Sequence, residues 1–260
     1  MAANVSSFPS MLDFVVSNTS DLPDRDRCRF SRNRGRWTLE ADCELSNSLD
    51  LPRNVSLDGD GHTMSLAGEA EGFGSVAIRA TGGDIVNLTV DGRQLLPLAP
   101  AYFAAIAFAA PGRISHTTVR NLQFAESPHS AIGIEVAAFD GATAVAQDIT
   151  LESISGTGLL LAGDSKVVAE RIWSSGVTAA VKVNGTITAT LSQVAVEDAH
   201  VGVLAQDQAC VRIVASSSPG ERVVVDRALI HQDALTFMGP GEREPGSRRA
   251  AWPAARGRLG

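Results

Sequence analysis

Carboxylates and an imidazole lie close together in the run VSLDGDGHTMSL, residues 55 to 66, which contains Asp58, Asp60 and His62. A carboxylate beside an imidazole can tune that imidazole for proton transfer, and paired carboxylates can bind calcium. The glycines between these residues are more typical of a tight turn, so we interpret His62 as a turn residue. No second acidic cluster aligns with Asp58 and Asp60. We therefore predict no metal and no cofactor, while calcium is left open as an alternative without support in the sequence.

Further acid-base candidates follow repeated apolar strands later in the chain. When the repeats described below are stacked, Glu197 and Asp198 follow one strand and His231 follows the next. Stacked strands lie roughly 4.8 Å apart, so these three side chains would come within reach of one small ligand. The alternative is that they are turn residues exposed to water, and the sequence leaves both interpretations open.

Loops and outward strand positions supply the remaining candidates. Long insertions at 91 to 104 and 125 to 131 would wall a groove on a rigid scaffold, because loops of that length commonly carry function. Glu135 and Lys182 would point outward from apolar strands, and Trp173 would lie beside Gln123 and Ser155 as an aromatic surface. We predict catalytic roles for Glu126, His129, Glu197, Asp198 and His231, and substrate-binding roles for Asp91, Arg93, Tyr102, Arg120, Glu135, Trp173 and Lys182.

A repeated pair of strands must position these residues. The first strand recurs as IVNLTV at 85–90, VRNLQF at 119–124, LESISG at 151–156, AERIWS at 169–174, LSQVAV at 191–196 and VDRALI at 225–230. A second apolar strand follows each copy, as in AAIAF from Ala104, IGIEV from Ile132 and AVKV from Ala180. Such a repeat is typical of a solenoid whose rungs stack on one another. A β-sandwich is the competing fold, but its segments would not repeat a two-strand unit so regularly.

The predicted fold is all-β, a single right-handed parallel β-helix over residues 36–237. Residues 1–35 form a lead-in that contains a short N-terminal capping helix over 8–20, which would cover the exposed edge of the stack. Residues 238–260 are rich in Gly, Pro and Arg and lack either apolar period, so we predict a disordered, flexible C-terminal tail. One inward column of the core would contain Leu88, Leu122, Ile154, Ile172, Val194 and Ala228.

The segment WTLEADCELSNSLDLPRNVSLDGDGHTMSL resembles the opening of right-handed parallel β-helix repeat proteins of the pectate-lyase-like (pectin-lyase fold) superfamily. VNLTVDG and VRNLQF resemble the rungs that follow in such proteins, and the likeness covers roughly residues 36 to 237. The resemblance implies the fold, whereas the superfamily includes lyases, hydrolases, epimerases and adhesins, so it does not imply one activity. The adjacent Asp pair and the G-H-G motif of the polygalacturonase-like members are missing.

Composition limits the classes of partner. The chain of 260 residues, 44% of them hydrophobic, can bury a full core as one domain. A formal net charge of −7 argues against nucleic acid, because phosphate contacts need a basic surface. No apolar run reaches the roughly 20 residues of a spanning helix, so we predict no membrane partner.

Three cysteines do not make a disulfide framework, and the sequence leaves open whether Cys28 pairs with Cys43.

The expected function follows from the groove and the resemblance. We expect an enzyme that performs acid-base chemistry on a carbohydrate-like substrate, as a lyase, epimerase or hydrolase. One alternative is an intracellular cyclase or isomerase of specialised metabolism, and another is a non-catalytic binding or structural solenoid. The expected partner is a small molecule or a short saccharide, because aromatic residues are scarce, and the oligomeric state is left open. The start, MAANVSSFPSMLDFVV, lacks the pattern of a leader, so we expect a cytoplasmic protein, or a secreted one if a leader was removed.

Overall fold

A computed structural model of the chain describes residues 28–69, 73–96, 102–124, 131–214, 216–217, 222–225, 229–232 and 235–236. The predicted capping helix over 8–20, the predicted tail over 238–260 and three predicted residues, Glu126, His129 and Ala228, lie outside this described part. The domain limits at residues 35 and 237 therefore remain predictions.

The described residues form eighteen strands in one continuous sheet. In chain order they are β1 (Phe30–Asn33), β2 (Arg36–Leu39), β3 (Cys43–Leu45), β4 (Leu49–Asp50), β5 (Ser56–Asp58), β6 (Thr63–Glu69), β7 (Val76–Val86), β8 (Thr89–Leu96), β9 (Phe103–Leu122), β10 (Ala131–Ala138), β11 (Thr143–Gly163), β12 (Lys166–Val183), β13 (Thr188–Ala205), β14 (Cys210–Val214), β15 (Ser216–Ser217), β16 (Arg222–Val225), β17 (Leu229–Gln232) and β18 (Leu235–Thr236).

These strands wind into an all-β solenoid of the right-handed type with about six turns and, in the described part, almost no helix. The pairing between successive turns is parallel, as in β11 with β12 and β12 with β13. Lys166 pairs with Thr188, so one turn of this region takes 22 residues (188 − 166). The predicted parallel β-helix is confirmed. Residues 91–96, which we had assigned to an insertion, belong instead to β8 and pair with β6.

Single left-handed residues make the corners of the solenoid, which is why strands such as β11 and β12 continue around three faces. The first corner repeats in successive turns at Asn87, His116, Asp148, Arg171 and Gln193, and the second at Asn121, Ser153, Gly176 and Asp198, all with positive φ. One residue in this conformation bends the chain sharply while the residues on either side stay extended. The corners therefore divide each turn into a first, a second and a third face without interrupting the ladder of hydrogen bonds.

The core fills the inside of the coil with small and branched aliphatic side chains, because alternate residues of each strand point inward. The predicted inward column is wrong in one respect. Ile172 pairs with Val194 as predicted, but Leu122 pairs with Ile154 on the far side of the second corner. The two pairs belong to separate columns, since the alternating pattern continues across a one-residue corner and does not reveal it.

An antiparallel hairpin begins the described part of the solenoid. Strand β1 pairs antiparallel with β2, whereas the other pairings in the described part are parallel. A disulfide joins Cys28 to Cys43 with 5.1 Å between their Cα atoms, and Cys210 is a free, half-buried thiol. Trp37 packs against Phe30 and lies 4.3 Å below the guanidinium carbon of Arg32. The disulfide thus joins the residues just before β1 to β3 of the first turn, and the aromatic contacts hold the two strands of the hairpin together.

Candidate active site

One outward column on the third face combines charged and apolar residues in register. Successive pairings between turns connect Asp50, Arg79, Ala107, Glu135, Leu160, Lys182 and Leu204. We call this set the charged column. Its members point outward because their neighbours in each strand, such as Ile134 and Val136 beside Glu135, are buried in the core.

Glu135 is the chemically distinctive member of the charged column. Its Oε2 accepts a hydrogen bond from the Tyr102 hydroxyl, and both side chains are partly buried. Burial raises the pKa of the Glu135 carboxyl above its usual value, and the Tyr102 hydrogen bond and the charge of Arg79 oppose that rise only in part. Burial, together with the neighbouring Glu135 carboxylate, also raises the pKa of the Tyr102 phenol. The tyrosine therefore stays protonated and acts as a donor.

A second apolar cluster, separate from the main core, surrounds this pair on the outside of the sheet. We call it the apolar patch, and its buried members are Val76, Ala104, Ala107, Ile132 and Leu160. Tyr102 packs against the same cluster. A carboxyl group set in apolar surroundings loses hydration, which is the physical cause of its raised pKa.

Arg79 contributes positive charge to one side of the pair. Its Nη1 lies 3.3 Å from Oδ1 of Asp50, one turn earlier in the charged column. The charge of Arg79 also lowers the pKa of both Tyr102 and Glu135. We did not identify Arg79 from the sequence, although VAIRA at 76–80 carries the same strand pattern as IGIEV at 132–136 and would have placed Arg79 in register with Glu135.

This arrangement suits proton transfer. A carboxyl group whose pKa is raised holds a proton more readily than an ordinary carboxyl group, which suits it to accept and return a proton. The Tyr102 hydroxyl donates to that carboxyl group and orients it.

The second corner holds another candidate, an open depression of about 370 Å³. Its lining includes Ser155, Thr178, Asp198 and His200. Thr178 donates to the Ser155 carbonyl at 2.8 Å, and the Ser155 hydroxyl accepts from the Phe124 amide at 3.0 Å. Both hydroxyl side chains thus have structural partners, while Asp198 and His200 are exposed.

The strand register places the three predicted residues Glu197, Asp198 and His231 at separate positions of the coil. Glu197 pairs with Ser175 on the second face and Asp198 occupies the second corner. His231 pairs instead with Arg212, which stacks on Thr190 on the first face. The first corner therefore separates the position of His231, on the first face, from that of Glu197, on the second face. The prediction failed because strand copies that look equivalent in sequence lie on different faces.

Three further predicted residues, Asp91, Arg93 and Arg120, form a structural unit. Asp91 is buried and accepts hydrogen bonds from Nε of Arg120 at 2.9 Å, from Nδ2 of Asn121 at 3.0 Å and from the Arg93 amide at 3.0 Å. Burial by itself would raise the pKa of the Asp91 carboxyl, but these hydrogen bonds together hold it below its usual value. With its acceptors occupied, Asp91 fixes the approach to the second corner.

Trp173 is half-buried on the second face, where it pairs with Thr150 and Ala195. It does not lie beside Gln123 and Ser155 as predicted, because the second corner separates them from it. Of the predicted substrate-binding residues, the structure brings Tyr102 and Glu135 into contact and aligns Lys182 with Glu135 in the charged column.

The DGDGH segment is a turn, as the sequence indicated. Asp60 and Gly61 both adopt positive φ, and Asp58 is buried, where it accepts from Arg36, Asn87 and the Asp60 amide. Within the described residues, no group of three or more His, Cys, Asp or Glu side chains is placed to hold a metal ion. No helix in the same part of the chain is long and apolar enough to cross a membrane.

Comparison with known proteins does not assign the chain to a family. No protein-family model and no curated protein matches the chain. The likeness to the pectate-lyase-like superfamily therefore rests on the sequence segments alone, whereas the solenoid fold is observed directly.

Proposed function

We propose that this protein is an enzyme that performs acid-base chemistry at the Tyr102–Glu135 pair, as an isomerase or lyase. The observation that supports the proposal is the partly buried Glu135 carboxyl group, which contacts the Tyr102 hydroxyl at the apolar patch. Perturbed carboxyl groups of this kind are characteristic of catalytic sites.

In the proposed reaction Glu135 is the general base and then the acid. The ionised carboxylate takes a proton from a carbon next to a carbonyl or carboxylate of the substrate, and the electron pair moves into that group. The proton on Glu135 exchanges with solvent, and return of a proton at another carbon completes an isomerisation. Loss of a leaving group from the next carbon instead completes an elimination. Tyr102 remains protonated and donates its one hydrogen to the Glu135 carboxyl group, which holds the base in position.

Hydrolysis of a glycosidic bond is disfavoured at this pair. That reaction uses two carboxyl groups roughly 5 to 9.5 Å apart. The register neighbours of Glu135 in the charged column are Ala107 and Leu160, and the nearest described carboxylate of that column, Asp50, lies three turns away, or roughly 14 Å at the usual strand spacing.

Two substrate classes have support. The sequence resemblance supports a short carbohydrate such as a uronide. The apolar surroundings of Glu135 support the alternative, a compact metabolite, because apolar side chains offer few hydrogen bonds to sugar hydroxyl groups.

Proton exchange in deuterated water tests the proposal without knowledge of the final product. The purified protein would be incubated with a panel of uronides and compact unsaturated carboxylic acids, and deuterium incorporation would be followed by mass spectrometry. Glu135→Gln keeps the shape and the Tyr102 hydrogen bond, and it should lower the rate by about 10²- to 10⁴-fold.

Glu197→Gln is the matched control, because it removes an exposed carboxylate from the second face. It should keep the wild-type exchange rate. Full exchange by the Glu135→Gln protein, or no exchange by the wild type with any compound of the panel, would contradict the proposed function and favour a non-catalytic solenoid.

A further inference from the structure

Arg79 and Glu135 carry opposite charges on the two sides of Ala107 in the charged column. Successive pairings connect Arg79 to Ala107 and Ala107 to Glu135, so the two charged residues lie two turns apart, or roughly 10 Å at the usual strand spacing. The side chain of Ala107 is a single methyl group, over which the long stem of an arginine can extend. The register of the strands thus sets a cation beside the carboxyl group that we propose as the base.

The turn that separates these two groups is covered. Ala107 is 6% exposed although its position points outward, and Tyr102 packs against the cluster that contains it. Water is therefore excluded from the surface between Arg79 and Glu135, which weakens the screening that reduces the attraction between exposed charges. The Arg79 side chain is itself 32% exposed, so the attraction lies between that of a surface pair and that of a buried pair.

Asp50 competes with Glu135 for the charge of Arg79. It precedes Arg79 by one turn in the charged column, on the side away from Glu135, and its Oδ1 lies 3.3 Å from Nη1 of Arg79. The Asp50 side chain is 60% exposed, so solvent weakens this ion pair. A carboxylate at this distance offsets part of the positive charge that acts on Glu135. Asp50 can therefore influence Glu135 through Arg79.

The charged and titratable groups around Glu135 come from several strands of the described part of the chain. Tyr102, just before β9, donates to its carboxyl group, and the adjoining strands β9 and β11 place apolar residues at its register positions. Lys182 on β12 lies two turns away, on the side opposite to Arg79. Burial raises the pKa of Glu135, and the Tyr102 hydrogen bond and the charge of Arg79 oppose that rise.

We propose that Arg79 is a positioning residue that favours the ionised form of the general base Glu135, and that Asp50 adjusts the strength of this effect. The burial that makes Glu135 a stronger base also favours its protonated form, which cannot accept a proton from a substrate. A cation across Ala107 offsets that cost. The inference rests on the proposed function, because it concerns the ionisation of the same carboxyl group.

Direct titration of Glu135 tests the inference without a substrate. The full chain would be labelled with ¹³C at the side-chain carboxyl carbon of glutamate, and the chemical shifts would be followed by NMR from about pH 4 to 9. The signal that is missing from the Glu135→Gln protein is assigned to Glu135. The midpoint of its titration is the measured quantity.

Substitution of Arg79 should move this midpoint. Arg79→Gln removes the cation and keeps a polar side chain, so the midpoint should rise by about half a pH unit to one pH unit. Arg79→Lys keeps the positive charge and should retain most of the wild-type value. Arg113→Gln is the matched control, since it removes an exposed arginine from the first face, and it should leave the midpoint unchanged.

Asp50 variants test whether this carboxylate acts through Arg79. Asp50→Asn should lower the midpoint by at least about 0.3 pH unit, because more of the Arg79 charge then acts on Glu135. The same substitution in the Arg79→Gln protein should lower it by less than about half as much, since the exposed Asp50 lies three turns from Glu135, beyond the range of roughly 10 Å over which salt leaves such charges unscreened. If Arg79→Gln does not fold, Asp50→Asn alone decides, and an unchanged midpoint overturns the inference.

The pH profile of deuterium exchange reports the same ionisation during the reaction. With a compound that the wild type exchanges, Arg79→Gln should move the acid limb of the profile to higher pH. The rate below the midpoint should fall by about three- to tenfold, while the rate at high pH should stay within about threefold of the wild-type rate. A merely structural role for Arg79 would instead lower the rate equally at every pH.

Failure of the inference and failure of the proposed function are distinguishable. An unchanged titration midpoint in Arg79→Gln, an equal rise in Arg113→Gln, or a higher midpoint in Asp50→Asn would each overturn the inference, and each leaves the proton-exchange test of Glu135 standing. A wild type that exchanges deuterium with no compound of the panel contradicts the proposed function, whereas the titrations still decide whether Arg79 controls the ionisation of Glu135.

Discussion

Removing the disulfide between Cys28 and Cys43 should destabilise the N-terminal hairpin and the first turn of the solenoid. The perturbation is the double substitution Cys28→Ser and Cys43→Ser. The two cysteines are separated by 15 residues in sequence, and closing a loop of that length restricts the unfolded chain by about 3 kcal/mol at 25 °C. We therefore expect the free energy of unfolding of the hairpin and first turn to fall by about that amount.

The assay must report on this end of the molecule, because the turns of a solenoid interact mainly with their neighbours and can unfold in segments. Trp37 is a suitable probe, since it contacts Phe30 of the hairpin. Urea unfolding followed by its fluorescence, in a background in which Trp173 and Trp252 are replaced by phenylalanine, would give the free energy for this region.

Two controls accompany the measurement. Cys210→Ser removes the free thiol and should leave the transition unchanged. Adding a reductant should destabilise the protein with intact cysteines and have no effect on the double variant. A loss below about 1 kcal/mol, or an equal loss in the Cys210→Ser protein, would refute the reasoning that the bond restricts the unfolded chain.

Two further predictions concern buried polar groups. Burial raises the pKa of Glu135, so the folded protein keeps a proton that the unfolded chain releases. The wild type should therefore lose stability relative to Glu135→Gln as the pH rises from about 4.3 through the raised pKa. Parallel stability curves of the two proteins from about pH 4 to 8 would contradict this prediction. The Ser174 hydroxyl is fully buried and has no hydrogen-bond partner among the residues that the structure describes. Ser174→Ala should therefore raise the free energy of unfolding in urea by about 1 to 2 kcal/mol, whereas substitution of the half-buried Ser175 by alanine should change it by less than about 0.5 kcal/mol. A loss of stability in Ser174→Ala would show that the hydroxyl is satisfied.

The repeated strand pattern was enough to predict the parallel β-helix. Inward residues such as Ile134 and Leu159 recur in strands that do pair. The same pattern could not locate the corners, because a single left-handed residue such as Ser153 turns the chain without a glycine or proline to mark it. Alternation continues through the corner, and residues that look equivalent in sequence lie on different faces.

The candidate site, like the fold, was predictable from the sequence only in part. Sequence alone placed Glu135 and Lys182 on the outside of apolar strands, since each lies between inward aliphatic neighbours. It could not show that Tyr102 reaches Glu135, because that contact joins residues 33 apart in sequence. The sequence also could not show that His231 is in register with Arg212, on a different face from Glu197.

The sequence by itself determined that this chain is a solenoid, because its strand repeat requires each turn to bury its apolar side against the next. Only the tertiary structure decided which polar residues act together. The register between turns sets which side chains meet along the outside of the coil, and the length of each turn, which varies along the chain, sets that register. Burial of Glu135 beside Tyr102 at the apolar patch is a product of that stacking, and so is the alignment of Lys182 with Glu135.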